Sequence, residues 1–209
     1  MTKSKNDRPI VYANKVPKSF RAHRPKMIQF LARLILRLFG WKIEGEIPEM
    51  KENENLVLIA APHTSNWDGV FGFTAIIGLD AKISFFGKYT LFKQPLLGRF
   101  LKYMGGIPVD KNKPGSGLVR AAVANINKLK GSLIAIAPEG TRSKTKQWRT
   151  GFLHIAKAVD ARIFTAAFDF DNKRIVLDKF FIPSGNVVRD LDTLKVYYSK
   201  FSAKKPENY

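Results

Sequence analysis

The chain has 209 residues, 45% of them hydrophobic, and carries a formal net charge of +19. That length and apolar content suit one domain with a sizeable core and exclude a disordered chain, while the absence of cysteine excludes disulfides, a thiol nucleophile and a Cys-based metal site. The charge calls for an anionic partner. With no RNP, zinc-finger or helix-turn-helix signature in the sequence, nucleic acid is not that partner, and an acidic membrane surface or a phosphorylated substrate is expected.

Residues 1–26 hold Lys3, Lys5, Arg8, Lys15, Lys18, Arg21, Arg24 and Lys26 against the single acid Asp7, with Pro9, Pro17 and Pro25 interrupting any helix. This reads as a flexible basic arm. It lacks the apolar core and small-residue cleavage site of a secretory signal, so no export is expected. In 27–41, Met27, Ile28, Phe30, Leu31, Leu34, Ile35, Leu38 and Phe39 recur at helical spacing, and Gln29, Arg33 and Arg37 fall on the other side. The predicted helix is too short and too charged to span a bilayer, which takes about 20 apolar residues. It suits the interface plane, with Trp41 as a headgroup-level anchor; the alternative is an ordinary helix covering a sheet.

Residues 41–47 predict a first strand, and 48–55 a polar turn. The apolar run Leu56, Val57, Leu58, Ile59, Ala60 is short and without helical spacing, so it predicts a buried strand. Next come Pro62, His63, Thr64, Ser65, Asn66, Trp67 and Asp68, and then a small-residue apolar stretch, 69–77, that fits a helix with Ser65, Asn66 or Asp68 as its cap. A histidine and a carboxylate therefore flank one strand-to-helix turn. Asp68 can accept the proton-bearing ring nitrogen of His63 and leave the other nitrogen free to take a proton from a substrate hydroxyl. The competing reading is a capping Asp68 and a structural His63.

Residues 83–87 predict another strand, followed by Lys88 and by the apolar stretch 91–104, studded with Lys93, Arg99 and Lys102. Gly105 and Gly106 permit a tight turn into a short strand that ends at Asp110 and Lys111. A helix is expected over 117–129 and a central buried strand over 133–137. That strand leads to Pro138, Glu139, Gly140, Thr141 and Arg142, where Gly140 allows close backbone approach and Arg142 can grip a phosphate in two bonds. A structural ion pair of Glu139 with Arg142 is the competing reading. Residues 150–159 predict a helix on which His154 reads as a packing residue. Residues 163–168 predict a strand, 171–173 link it to 174–177 as a hairpin, and a last helix is expected over 187–201. Strands alternating with helices in this way argue an α/β fold: one domain with a mixed, largely parallel central sheet flanked by helices.

His63 and Asp68 in an HxxxxD pattern, Gly105 to Lys111, and the EGTR run Glu139, Gly140, Thr141, Arg142 resemble, in order and spacing, the first three motifs of the glycerolipid acyltransferase family. Its best-known members are the 1-acylglycerol-3-phosphate acyltransferases. The resemblance covers about 56–170. This chain has Lys88, Tyr89, Thr90, Leu91 where the family typically has Lys-x-Glu-Leu, has Lys111 where many members have Arg, and lacks the fourth motif's proline in 163–168. A Lys meets a phosphate as a point charge without the bidentate fork.

The resemblance implies transfer of a fatty acyl group from a thioester, acyl-CoA or acyl-carrier protein, to the free hydroxyl of a lysophospholipid, with no metal or cofactor. His63 would be the general base and Asp68 would hold its tautomer. Arg142 and Lys111, with Glu139, Gly140 and Thr141, would bind the acceptor, and the backbone around Gly140 or the ammonium of Lys88 would stabilise the oxyanion. The implied organisation is an arm (1–26), an interface helix (27–41) and a catalytic domain (42–209), bound peripherally to the cytoplasmic face of the membrane. A non-catalytic anionic-lipid-binding protein, a hydrolase using the same dyad on water, and an acyltransferase with another lysolipid or an amino-acid-derived acceptor are the alternatives.

Overall fold

The alternation of apolar runs with helical stretches builds seven strands: β1 (Lys42–Gly45), β2 (Asn55–Ala61), β3 (Ile83–Lys88), β4 (Gly106–Val109), β5 (Ser132–Ile136), β6 (Arg162–Asp169) and β7 (Arg174–Phe181). The helices are α1 (Lys26–Leu38), α2 (Asn66–Gly78), α3 (Tyr89–Phe92), α4 (Pro95–Tyr103), α5 (Leu118–Ile126), α6 (Gly151–Ala158) and α7 (Val187–Tyr198). The structure, a computed structural model, describes residues 15–51, 53–109, 118–127, 131–145 and 147–209. Lys111 and the arm's residues 1–14 lie outside the described residues.

The strands form one sheet in the order β1-β7-β6-β2-β5-β3-β4. All neighbours pair parallel except β6 and β7, the hairpin expected from 171–173. The sheet is thus mixed and largely parallel, as read from the sequence, although β2 and not β5 holds its centre. Buried on both faces, β2 has the near-continuous apolar character that parallel strands need. Leu56 and Leu58 face a core shared with Leu36, Trp41, Phe71 and Leu79, and Val57, Ile59 and Ala61 face one shared with Ile126, Phe152, Leu194 and Tyr198. Helices α1 and α2 therefore cover one face, and α5, α6 and α7 the other. Gly105, with φ of 89°, lets the chain turn into β4 where a Cβ would lie 1.9 Å from the Ile83 carbonyl oxygen, a conformation open to glycine alone.

Several expectations for the amino-terminal region need correction. Of the predicted flexible arm, residues 15–26 are packed: Val16 and Phe20 are buried, and the buried Arg24 donates its backbone N–H to Asp80 Oδ1 at 2.9 Å and its guanidinium to the Ala81 carbonyl at 2.9 Å. Trp41 is no headgroup anchor, because it is 3% exposed and stacks on Phe71 with ring centroids 4.3 Å apart. Most instructive is α1 itself, which packs on α2 through Gln29, Ala32, Arg33 and Leu36. Gln29 Nε2 donates to the Arg24 carbonyl and Arg33 Nε to the Gly78 carbonyl, at 2.8 and 2.7 Å. The apolar face, from Met27 at 73% exposure to Leu38 at 75%, points away from the protein.

The apolar stretch 91–104 divides similarly: Leu101 and Met104 are buried, while Leu96, Leu97, Phe100 and Tyr103 are exposed. Edge contacts Phe39 to Phe71 (5.9 Å) and Phe73 to Phe100 (5.5 Å) put α2 between α1 and α4, with Trp67 and Val70 of α2 also exposed. Among the described residues no helix is long and apolar enough to cross a membrane. His154, expected to pack, is exposed on α6, since Phe152, Ile155 and Ala156 supply that helix's buried face.

Candidate active site

Strands β2 and β5 are parallel neighbours, so the segments leaving their carboxyl ends emerge side by side. One carries His63 and the other Glu139. In open α/β sheets this edge is where ligands bind.

After β2 the chain turns into α2 through a capping box. Ser65 is the N-cap, its Oγ accepting the Trp67 N–H at 3.1 Å, and Asp68 is the acid three residues on. Asp68 Oδ2 accepts the backbone N–H groups of Thr64 and Ser65, each at 2.7 Å, and Oδ1 accepts the Ser65 hydroxyl at 3.0 Å. The same Oδ2 lies 3.2 Å from His63 Nδ1, with the imidazole side chain 30% exposed and the carboxylate 1%. The two readings of this pair are therefore one arrangement. Asp68 caps the helix and holds the ring through Nδ1, and the imidazole is left partly open.

Glu139 enters from β5 and lies behind the turn. It is 4% exposed, and its Oε1 accepts the His63 N–H at 2.9 Å. Burial pushes its carboxyl from the ordinary 4.5 up to about 6, against the lowering effect of the hydrogen bonds it accepts and of His63. Its second oxygen, Oε2, is enclosed without a hydrogen-bond partner. Gly140 adopts a φ of 65°, which favours glycine, and its N–H bonds back to the Ala137 carbonyl at 3.1 Å. That donor is thus committed to the turn and not directed at an oxyanion. Arg142 is exposed and donates to Asn66 Oδ1; no ion pair joins it to Glu139 among the described residues. Thr141, also exposed, accepts the Ser143 N–H at 3.2 Å.

The structure thus brings together His63, Asp68, Glu139 and, through Asn66, Arg142. Lys88 ends β3, exposed, two strands from β2 on the same sheet edge, and has no contact with the dyad among those described. No group of three or more metal-ligating side chains is found among the described residues. Sequence reasoning missed Asn66 as the partner of Arg142 and missed Thr64. The Thr64 hydroxyl accepts the Lys205 N–H at 3.1 Å, and its carbonyl accepts Asn208 Nδ2 at 3.3 Å. These contacts span 76, 141 and 144 residues of chain, and no local pattern announces them.

The chain is 27% identical over 151 residues to a 1-acyl-sn-glycerol-3-phosphate acyltransferase of Streptococcus pneumoniae, a match covering 68% of this chain and 54% of that protein. It is 30% identical over 112 residues to the protein of that name in Bacillus subtilis, covering 53% and 54%. The chain therefore spans about half the length of the curated relatives it matches. The crystal structure of the 1-acyl-sn-glycerophosphate (LPA) acyltransferase PlsC from Thermotoga maritima shares the fold with a TM-score of 0.59 at 16% identity, over 86% of this chain and 81% of that one. Residues 42–169, more than half of the chain, match the family model described as Acyltransferase, and the chain belongs to that family.

Proposed function

We propose that this protein transfers a fatty acyl group from an acyl thioester, acyl-CoA or acyl-carrier protein, to the free hydroxyl of a lysophospholipid, with 1-acylglycerol-3-phosphate as the acceptor of choice. The observation that carries the reading is the buried Asp68 carboxylate 3.2 Å from Nδ1 of a partly exposed His63. In the first step the acceptor O–H gives its proton to His63 Nε2 as its oxygen bonds to the thioester carbonyl carbon. The resulting imidazolium is stabilised by Asp68. The tetrahedral oxyanion then collapses, the C–S bond breaks, and the leaving thiolate takes the proton back from His63. Every atom is accounted for without a metal or cofactor. The Gly140 N–H being occupied, the oxyanion is stabilised by other backbone donors around Gly140 or by the Lys88 ammonium. Arg142 and Lys111 hold the acceptor phosphate, Arg142 with Asn66 as its support.

The enzyme works at an anionic membrane surface, bound peripherally on the cytoplasmic face. The outward apolar faces of α1 and α4, with Trp67 and Val70 between them, support this placement, because together they form an apolar rim beside the turn that carries His63. A patch of that extent is rare on a protein surrounded by water. The net charge of +19 favours anionic headgroups. The test is incubation of purified protein with a panel of lysolipids on vesicles and labelled acyl donors, read by mass spectrometry. Acylated product from wild type and none from His63→Ala is the expected result; vesicle binding without product under every donor would return the lipid-binding alternative.

A further inference from the structure

The segment after α7 folds back onto the catalytic turn. Phe170 N–H bonds the Ser202 carbonyl at 2.9 Å and Ala203 is buried, which brings 205–209 against Thr64. Thr64 is itself 2% exposed and adjoins His63. Three of its polar atoms are held: N–H by Asp68, Oγ1 by the Lys205 N–H, and carbonyl by Asn208. Tyr209 packs at the edge of the core formed with α6 and α7, and its hydroxyl, like Glu139 Oε2, is enclosed without a hydrogen-bond partner. Burial and the Glu139 charge both push that hydroxyl's pKa up.

We propose that Lys205 and Asn208 are positioning residues for His63. They clamp Thr64, the neighbour of His63 in the chain, through its hydroxyl and its carbonyl. The ring of His63 hangs on a short backbone segment gripped on both sides, by Asp68 and Glu139 from the sheet and α2, and by this segment from behind. Rotation of that segment would move Nε2 off the acceptor hydroxyl, and misplacement of about 1 Å is enough to slow catalysis strongly. Neither residue touches substrate in this scheme.

The inference rests on the acyl-transfer reading for its kinetic arm only. Asn208→Ala should lower kcat about tenfold, the effect of roughly one positioning hydrogen bond, with KM for donor and acceptor unchanged. Asn208→Asp, which keeps the side chain's shape and removes the donor to the Thr64 carbonyl, should act in the same direction, and Glu207→Ala, an exposed neighbour, should not. A second readout needs no turnover: the chain has 3 histidines, so the imidazole carbon-proton NMR signals can be followed separately. The His63 signal should move in Asn208→Ala while that of His154 stays. Unchanged kcat and an unmoved His63 signal in both folded variants would overturn the proposal, as would equal movement of His63 and His154, which marks general loosening. If wild type transferred no acyl group at all, the reaction would be at fault, and the NMR signals would still decide the positioning role.

Discussion

At the turn after β2, polar groups are buried: Thr64, Ser65, Asp68 and Glu139 all lie inside. Along α1 the usual partition is broken the other way, with Met27, Phe30, Leu31, Leu34 and Leu38 outside and Gln29 and Arg33 turned in. The costs are met differently. The backbone donors of His63, Thr64 and Ser65 are satisfied within the chain, by Glu139 and by Asp68, which alone accepts three hydrogen bonds, and Glu139 Oε2 is the acceptor left over. Among the described residues nothing covers the apolar face of α1; in the proposed function the membrane surface does. The turn should therefore respond to substitution in rate and folding, and α1 in binding to a surface.

The largest effects should come from the dyad. His63→Ala should lower kcat roughly 100- to 10,000-fold, the range for a lost general base, with an unchanged melting temperature because the ring is partly exposed. Asp68→Ala should match it in rate and also destabilise by about 1–3 kcal/mol or more, since the Thr64 and Ser65 N–H groups lose their acceptor. Paired kinetics and urea denaturation test this difference. A stable but inactive Asp68→Ala would mean that the cap matters less than its geometry indicates.

On α1 the expectation reverses. Leu34→Glu with Leu38→Glu should abolish vesicle binding and leave stability nearly untouched, because each leucine contributes about 1.5–3 kcal/mol only once it is covered. Removing 1–14, with Lys3, Lys5 and Arg8, should weaken binding less and make it less sensitive to salt, since exposed charges are screened beyond a Debye length near 10 Å at about 0.1 M. The truncation must stop short of Val16, Phe20 and Arg24, which belong to the fold. Co-sedimentation with anionic and neutral vesicles across a salt series is the measurement. Full binding by the doubly substituted protein would transfer the docking role to Leu96, Leu97 and Phe100 on α4.

Local chemistry was legible in the sequence. His63 and Asp68 are five residues apart, with a strand ending before His63 and a helix beginning between the two, so both fall on one turn. The order of strands and helices, and hence the α/β class, follows from the same short-range periodicity. What short range cannot carry was missed. Periodicity divides α1 into two faces but does not say which one turns inward, because that depends on Gly78 and Asp80 as partners, more than 40 residues away. Trp41 falls just past the amphipathic run and reads as part of it, yet the chain turns after Leu38 and carries it under Phe71. The Asn66 partner of Arg142 and the clamp on Thr64 exist only once the sheet has formed.

A smaller effect probes the link between the turn and its substrate. Arg142→Ala should raise the acceptor KM roughly 10- to 100-fold, corresponding to about 1.5–3 kcal/mol for a charge-assisted contact. Donor KM and stability should hardly change, as the guanidinium is exposed and its one described partner is Asn66. Lys111→Arg should be tolerated or improve acceptor use by restoring a bidentate fork. Separate donor and acceptor titrations distinguish this from equal losses toward both, which would place Arg142 at the reacting carbonyl and not at the phosphate.

The finest test concerns the buried carboxylate behind the turn. Glu139 is raised from 4.5 to about 6 chiefly by burial, so between those values the folded protein binds the proton that the unfolded chain has released. Stability contributed by this group is then present below about 4.5, falls as pH rises through about 6, and is constant above. Burial raises Glu44, Glu54 and Asp169, but hydrogen bonds and charges from Lys42 and Arg174, from Lys51 and Arg162, and from Asn172 and Arg174 outweigh it and lower them, so their contributions are lost in the opposite direction, toward acid. They are common to wild type and Glu139→Gln, and they cancel in the difference. Gln at 139 keeps an oxygen for the His63 N–H and replaces the enclosed, unpartnered Oε2 with an amide nitrogen that carries no charge. Denaturation midpoints should therefore shift in favour of Glu139→Gln by up to about 2 kcal/mol between pH 4.5 and 7, with no further change above. A difference that stayed flat across that window would mean that water reaches Oε2, and the turn would then be less closed from behind than the Thr64 clamp requires.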